Sequence, residues 1–469
     1  MASYIRPENP SASWMNPARL SDDDFAMKDG RIFLGRTKDG RAIGVDDNRH
    51  VVTIAGSRAG KSATSLMSNL LTWDGSAMVV DPKGELATNT ALHRAKMGQD
   101  VFILDPFGEV TGEAEKFRAS FNPLNELRAG DPRDVVDDAS TLADALITSD
   151  GRTNDHWSMS AKNLIRGLCL YALHRRPQDA SLVDVRALLT SPAEREKKAP
   201  AGAPLALADH FEAMTKEDAF DGVLAGMGST MAGKPKSERG SIISTAIEQT
   251  SFLDSIPMRE HLAEQGLPSM RALKRKPTTI YLVLPSSRMG THFRWLRAVL
   301  TQAMTALERT ENATGRPVLF VLEEFPTLGH MRLIEASAGL MAGYDVKLWT
   351  VLQDLSQLKA HYPNSWETFL GNAGIIEAFG NADMTTLDYL SKRMGQSLSV
   401  QVQPENTSLQ SQRGGATGER ETIVNVPLLA PYEIALAFGR KEGNKLILMA
   451  DEKPFRLHRV FWRDLLTRQ

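Results

Sequence analysis

The sequence predicts an α/β fold, a parallel sheet with helices on both faces and an all-helical segment set into it. Three observations carry this expectation. Short, continuously apolar runs recur along the chain, helical patterns lie between them, and one long central stretch has helical spacing with almost no strand signal. The chain has 469 residues, room for two to three domains.

In chain order, "HVVTIA" (50–55), "AMVVD" (77–81) and "VFILD" (101–105) are strand-sized and apolar throughout, as buried parallel strands are. After a gap come "TTIYLVLP" (278–285), "PVLFVLEEF" (317–325), "VKLWTVLQD" (346–354) and "IIEAFG" (375–380). Apolar spacing predicts helices over 61–71, 84–97, 291–309, 331–342 and 383–394. The gap, 122–275, holds helical patterns such as "WSMSAKNLIRGLCLYALHRR" and reads as an inserted all-helical domain. Within it "SPAEREKKAPAGAPLA" (191–206) reads as a loop. The polar "SVQVQPENTSLQSQRGGATGERET" (399–422) reads as a flexible loop, followed by two closing strands, "NKLILMAD" and "FRLHRVFW". The expected organisation is an N-terminal arm (1–32), a nucleotide-binding domain in two parts (33–121 and 276–469) and the helical insert (122–275).

Composition narrows the function. Hydrophobic residues make up 42% and charged residues 24%, the profile of an ordinary globular protein. A formal charge of −2 gives no bulk attraction to nucleic acid or acidic lipid, so any polyanion site must be local. The single cysteine, Cys169, rules out an internal disulfide and a cysteine-rich metal site, and fits a reducing cytoplasm. No apolar run reaches the roughly 18 residues of a membrane span. The N-terminus has no apolar signal-peptide core, so the chain is expected to be soluble and cytoplasmic.

Chemistry concentrates in "TIAGSRAGKSATS". Residues Ala55, Gly56, Ser57, Arg58, Ala59, Gly60, Lys61 and Ser62 follow the phosphate-loop pattern G-x-x-x-x-G-K-[ST], with alanine in the first place. Strand, tight turn, Gly-Lys-Ser and helix aim backbone N–H groups and a helix dipole at phosphates. Lys61 is expected to reach the β- and γ-phosphates of ATP, and Ser62 to ligate Mg²⁺. Ala55 sits where the chain leaves the strand, a place with less need of positive φ than Gly60. "VLFVLEEF" supplies the acidic strand end such loops require. Glu323 is the candidate for the Mg²⁺ shell, and Glu324 the general base. Gln353, at the end of "WTVLQ", can sense the terminal phosphate or hold the attacking water, or simply cap its strand. Asp81, Lys83 and Glu85 in "VVDPKGEL" fit no metal or acid–base spacing, and are structural or partner-facing. The basic runs "RALKRKP" (271–277) and "GKPKSER" (233–239) read singly as solvated charged faces; brought together by assembly, Lys274, Arg275 and Lys276 are candidate contacts to DNA.

The ordered set of motifs resembles the coupling ATPases of type IV secretion and conjugative DNA transfer, from about residue 33 to 460. The phosphate loop, "DPKGEL", "FNPLNEL", "SERGSIISTAIEQTSFLDSIPMR", "LEEFPTLG", "LQDLSQL" and "FLGNAGIIEAFGNADMTTLDYLSKRMG" occur in that family's order. The resemblance implies a RecA-like motor domain, a helical substrate-facing domain and a homo-hexameric ring; without a membrane anchor to concentrate subunits, the unliganded chain is expected to be a monomer. It also implies DNA as substrate, single-stranded, and partners such as a relaxase, other secretion substrates and membrane-bound secretion components; with a near-neutral chain, such binding is expected to be electrostatic and indifferent to sequence. Lys61 and Ser62 fall in its phosphate loop, Glu323 and Glu324 at its acidic strand end, Gln353 at its third motif. The family's first acid is usually Asp, here Glu323, and its usual transmembrane helices have no counterpart in this sequence. Arg393 and Arg332 are candidates for the arginine it places in a neighbour's site. The readings that compete are a soluble ATP-binding adaptor for secretion substrates, a DNA-processing motor in defence or mobile-element maintenance, and a small-molecule kinase, which the large insert disfavours.

Overall fold

A computed structural model describes residues 12–148, 156–194, 205–264, 266–267, 269–337, 341–405 and 418–466. Thirteen strands run through them. They are β1 (Ile32–Arg36), β2 (Ala42–Val45), β3 (His50–Ala55), β4 (Ala77–Asp81), β5 (Asp100–Leu104), β6 (Thr278–Val283) and β7 (Val318–Leu322). The remainder are β8 (Val346–Leu352), β9 (Ala373–Phe379), β10 (Gln396–Glu405), β11 (Gly418–Pro427), β12 (Asn444–Met449) and β13 (Phe455–His458). The chain divides into two compact units, Met1–Trp73 with Trp349–Gln469, and Asp74–Leu348.

In the first unit β3 lies between two parallel neighbours, β8 with Val51 opposite Trp349 and β9 with Ala55 opposite Phe379. Both faces of β3 and β9 are buried along their whole length, which is why "HVVTIA" and "AGIIEAF" alternate so little. Antiparallel β12, β13, β1 and β2 continue the sheet beyond β9. The hairpin of β1 and β2 goes beyond the strands the sequence predicts; its signal is only four or five residues on each side of an Asp-Gly turn.

One expectation is corrected here. The flanks of 399–422 are not a flexible loop: β10 and β11 pair antiparallel from Gln396↔Pro427 to Glu405↔Gly418. The polar composition hides a period of two, with Leu398, Val400 and Val402 alternating with Ser and Gln, and Val400 set opposite Ile423. Residues 406–417 lie outside the described residues.

In the second unit β4 lies between β6 and β7, all parallel, and β5 adds to β6. The helix Glu85–Lys96 connects β4 to β5. From Leu124 to Arg275 the described residues hold helices and no strand. Leu164, Ile165, Leu168 and Cys169 of the helix His156–Arg175 are buried in the core of this region. Arg186 fastens it: the guanidinium donates to Asp254, to Thr250 Oγ1 at 2.9 Å and to the Ile247 carbonyl at 2.7 Å. The helix before β7 starts at Ser286, five residues ahead of the expected 291, directly after Pro285. The helix expected over 331–342 is shorter, Arg332–Ser337, with residues 338–340 outside the described set. No helix among the described residues is long and apolar enough to cross a membrane.

Candidate functional site

The phosphate loop leaves β3 at Ala55, which is fully buried and needs no special backbone conformation. Glycine is required one residue later. A Cβ on Gly56 would lie 2.0 Å from the Gly380 carbonyl oxygen, so two backbones meet where no side chain fits. Gly60, at φ +88°, supplies the left-handed conformation that turns the loop into the helix. Ser57 and Arg58 are exposed, and Arg58 also has positive φ, at 55°. Ala59 is buried, and its N–H donates to the Gly56 carbonyl at 3.1 Å, closing the turn. Lys61 and Ser62 open the next helix, whose first turn, Ser62–Leu66, is a π turn, a local irregularity common at functional sites.

Neighbouring elements hold the loop. The Gly56 N–H donates to the Phe379 carbonyl at 3.2 Å. Arg459 stacks over the Phe379 ring and donates to the carbonyls of Ala59 and Arg440. One turn past Lys61, a buried polar row anchors Ser65. Lys445 Nζ donates to Ser65 Oγ at 3.2 Å and to Glu377 at 2.5 Å. Thr53 donates to Glu377 at 2.6 Å, and Trp349 Nε1 donates to Thr53 at 2.7 Å. The row crosses β12, β9, β3 and β8, and the side chains of Lys445 and Glu377 are 0% and 2% exposed. Neither Arg459 nor this row was legible from sequence.

A cavity of about 500 Å³ opens beside the start of the loop. Gly56, Ser57, Gln353, Asn381 and Arg440 are among its lining residues. The structure therefore brings Gln353 to the loop, as the parallel pairing of β8 and β3 requires.

The acidic pair stands in the second unit, at the end of β7. Glu323 is buried and Glu324 half-buried. Glu324 has φ +54° and ψ +40°, a conformation that costs a non-glycine residue and clusters at functional sites. It is fixed by Thr327, whose N–H and hydroxyl both donate to the Glu324 carbonyl, and by the buried Phe325. The segment beyond is clamped by Arg297, which donates to the carbonyls of Leu328 and His330 at 2.9 and 2.7 Å. Asp81 ends β4 fully buried and accepts from the Ala87 N–H at 2.8 Å, holding the first turn of the helix Glu85–Lys96. Burial foremost, with the negative charge of Glu323 adding to it, pushes Asp81 up to about 7. Lys83 and Glu85 are exposed.

The basic run at 271–277 is corrected. Lys274 is buried and donates to the carbonyls of Leu307 and Thr310 at 2.6 and 2.9 Å, capping a helix end, and Lys276 pairs with Asp100. Arg275 and Lys276 are exposed, so only Lys274 departs from the expected solvated face. In 233–239, Lys234 pairs with Glu238 and Lys236 with Glu194. Arg393 and Arg332 are both exposed.

A phosphate loop on a buried parallel strand and an all-helical region define an α/β, RecA-like phosphate-loop NTPase fold with an all-α insertion, and solved structures share it. The plasmid coupling protein TrwB in complex with the ATP analogue ADPNP matches with TM-score 0.64 at 14% identity, over 97% of this chain and 95% of that one. TrwB in complex with ADP and Mg²⁺ matches with TM-score 0.57, over 88% and 85%. The chain belongs to the type IV secretory system conjugative DNA transfer family, whose model matches residues 8–465. It is 26% identical to the conjugal transfer protein TraG of Escherichia coli over 412 residues, 84% of this chain and 62% of that protein. It is 26% identical to VirD4 of Agrobacterium fabrum over 471 residues, 98% of this chain and 66% of that one. The chain thus spans a little under two thirds of the length of these relatives.

Proposed function

We propose that this chain is an ATP-hydrolysing coupling motor that moves DNA, or a DNA–protein complex, in conjugative transfer or type IV secretion. The observation that carries this reading is the phosphate loop, built on a buried strand and fixed by the Gly56–Gly380 contact. Residues 55–62 cradle the phosphates of ATP, with Lys61 at the β- and γ-phosphates. Ser62 and Glu323 offer hard oxygen donors of the kind Mg²⁺ takes, an ion that keeps waters and shares substrate phosphates. Glu324 is the general base, and Gln353 positions the terminal phosphate or the attacking water.

Membership of the conjugative DNA transfer family and the likeness to the conjugal transfer protein TraG support DNA transfer as the task, and the match to the TrwB complexes supports ATP and Mg²⁺ as ligands. Residues 122–275 are the inserted helical domain, 33–121 and 276–469 the two parts of the nucleotide-binding domain, and 1–32 an arm. The partners are single-stranded DNA bound without sequence preference, a relaxase or other secreted substrate, and membrane-bound secretion components. Six copies form the working ring, the unliganded chain is a monomer, and the work is done in the cytoplasm, where ATP is supplied. Arg393 or Arg332 enters a neighbour's site.

The test is ATP turnover by the wild type and two variants. Lys61→Ala should lose ATP binding. Glu324→Gln should bind ATP yet lose about 10²- to 10⁴-fold in turnover, the usual cost of a positioned base. Wild-type turnover in both variants would overturn the reading.

A further inference from the structure

Asn381 is two residues past Phe379 of β9, the residue paired with Ala55 of β3. On the opposite flank of β3, Gln353 is one residue past Leu352 of β8, the residue paired with Ile54. The strand order β9-β3-β8 therefore sets one carboxamide on each side of the start of the phosphate loop. The Gly56–Gly380 contact fixes the Asn381 side, since Gly380 directly precedes Asn381.

Asn381 is 6% exposed, yet its side chain makes one hydrogen bond among the described residues, Nδ2 donating to the Gln353 carbonyl at a long 3.4 Å. A carboxamide offers two N–H donors and an acceptor, so one long bond leaves most of its capacity unused. The unused capacity lies on the cavity, which Asn381 lines. That cavity suits a phosphate better than a nucleoside. Its lining is Gly, Ser, Gln, Asn, Asp, Ala and Arg, with no aromatic ring on which a base could stack. Of its two acids, Asp354 is engaged with the Gln357 N–H at 2.9 Å and Asp383 with the Thr386 N–H at 2.8 Å, both as helix caps. Arg440 stands exposed at the lip as a cation.

We propose that this cavity takes the terminal phosphate of a nucleoside triphosphate and that Asn381 donates to its oxygens from the side opposite Gln353. The inference rests on the nucleotide reading above and adds a residue to it. A donor aimed at the transferring phosphoryl group stabilises the charge spread over its oxygens. A nucleoside diphosphate lacks that group, so Asn381 should be silent toward ADP.

The experiment is calorimetry of ADP and of the non-hydrolysable analogue ADPNP, with ATP turnover, for wild type, Asn381→Ala and the isosteric Asn381→Asp. ADP affinity should be unchanged in both variants. Affinity for ADPNP should fall about tenfold in the alanine variant, the worth of a hydrogen bond to a charged group, and further in the aspartate variant, which faces the phosphate with a negative charge. Turnover should fall about 10²- to 10³-fold, as when one oriented donor is removed. ADP and ADPNP affinities falling together in both variants would make Asn381 a structural support and overturn the inference. Unchanged ADPNP binding and turnover in both would also overturn it, while leaving the nucleotide reading intact. A wild type that binds neither nucleotide, indistinguishable from Lys61→Ala, would sink that reading and this inference with it.

Discussion

Ala55 stands where a phosphate loop usually begins with glycine, and the backbone explains why this is tolerated. It is the last residue of β3, buried, and its φ is not positive. The demand for glycine falls on Gly56, where a Cβ would meet the Gly380 carbonyl oxygen at 2.0 Å. Gly56→Ala should therefore abolish ATP binding, while Ala55→Gly should leave it near wild type; both can be read by calorimetry. Equal affinity in wild type and Gly56→Ala would show that the two backbones separate easily. The places of Lys61, Ser62, Glu323, Glu324 and Gln353 beyond strand ends were legible because each is tied by spacing to an apolar run; their roles are proposals. The places of Asn381 and Arg459 were not legible. Arg459 meets the Ala59 carbonyl across 400 positions of sequence, and Asn381 acquires its place only from the register of β9 against β3.

At the scale of elements, the polar row from Lys445 to Trp349 links four strands to the turn that follows Lys61. A buried ion pair with every partner in place is tolerable, but removing one member leaves a charge stranded. Lys445→Met should destabilise the protein by about 3–5 kcal/mol, measured by denaturant unfolding, and replacing Glu377 as well by Gln should recover part of the loss. Lys274→Ala should cost about 1–3 kcal/mol by unsatisfying the carbonyls of Leu307 and Thr310, which makes it unsuitable as a probe of DNA contact. Acid should act through His261. Buried edge-on against Trp295, it has its pKa pushed down by burial from 6.5 to about 4. Between those values the unfolded chain takes up a proton that the folded chain refuses. Stability should therefore be full above about pH 6.5, fall as pH drops toward 4, and lose no more through this group below that. His261→Leu should flatten thermal melts across that window, and an unchanged slope would remove His261 as a cause. The parallel strands around these groups were legible as apolar runs. The β10–β11 ribbon was not, because runs of Ser, Gln and Val carry alternation without bulk hydrophobicity.

At the scale of the whole molecule, a formal charge of −2 means that the proposed DNA binding would have to come from a few cations gathered by assembly. The fold class and the helical character of the central stretch could be read from periodicity, whereas Lys274 in the basic run at 271–277 could not be placed, because composition does not say that it points inward. A ring should form when nucleotide or DNA is present, and light scattering should find monomers without them; monomers under both conditions, with turnover undiminished, would contradict a ring mechanism. The coupling of ATP hydrolysis to DNA is the claim on which the account depends most. Its most direct test is ATP turnover by the wild-type chain with and without single-stranded DNA of unrelated sequences, across a salt series, with Glu324→Gln as the blank. Turnover should rise with DNA of any sequence, and the gain should fade steeply as salt increases, as counterion release requires. Turnover that does not change with DNA at any salt, or that is no greater than that of Glu324→Gln, would contradict the account.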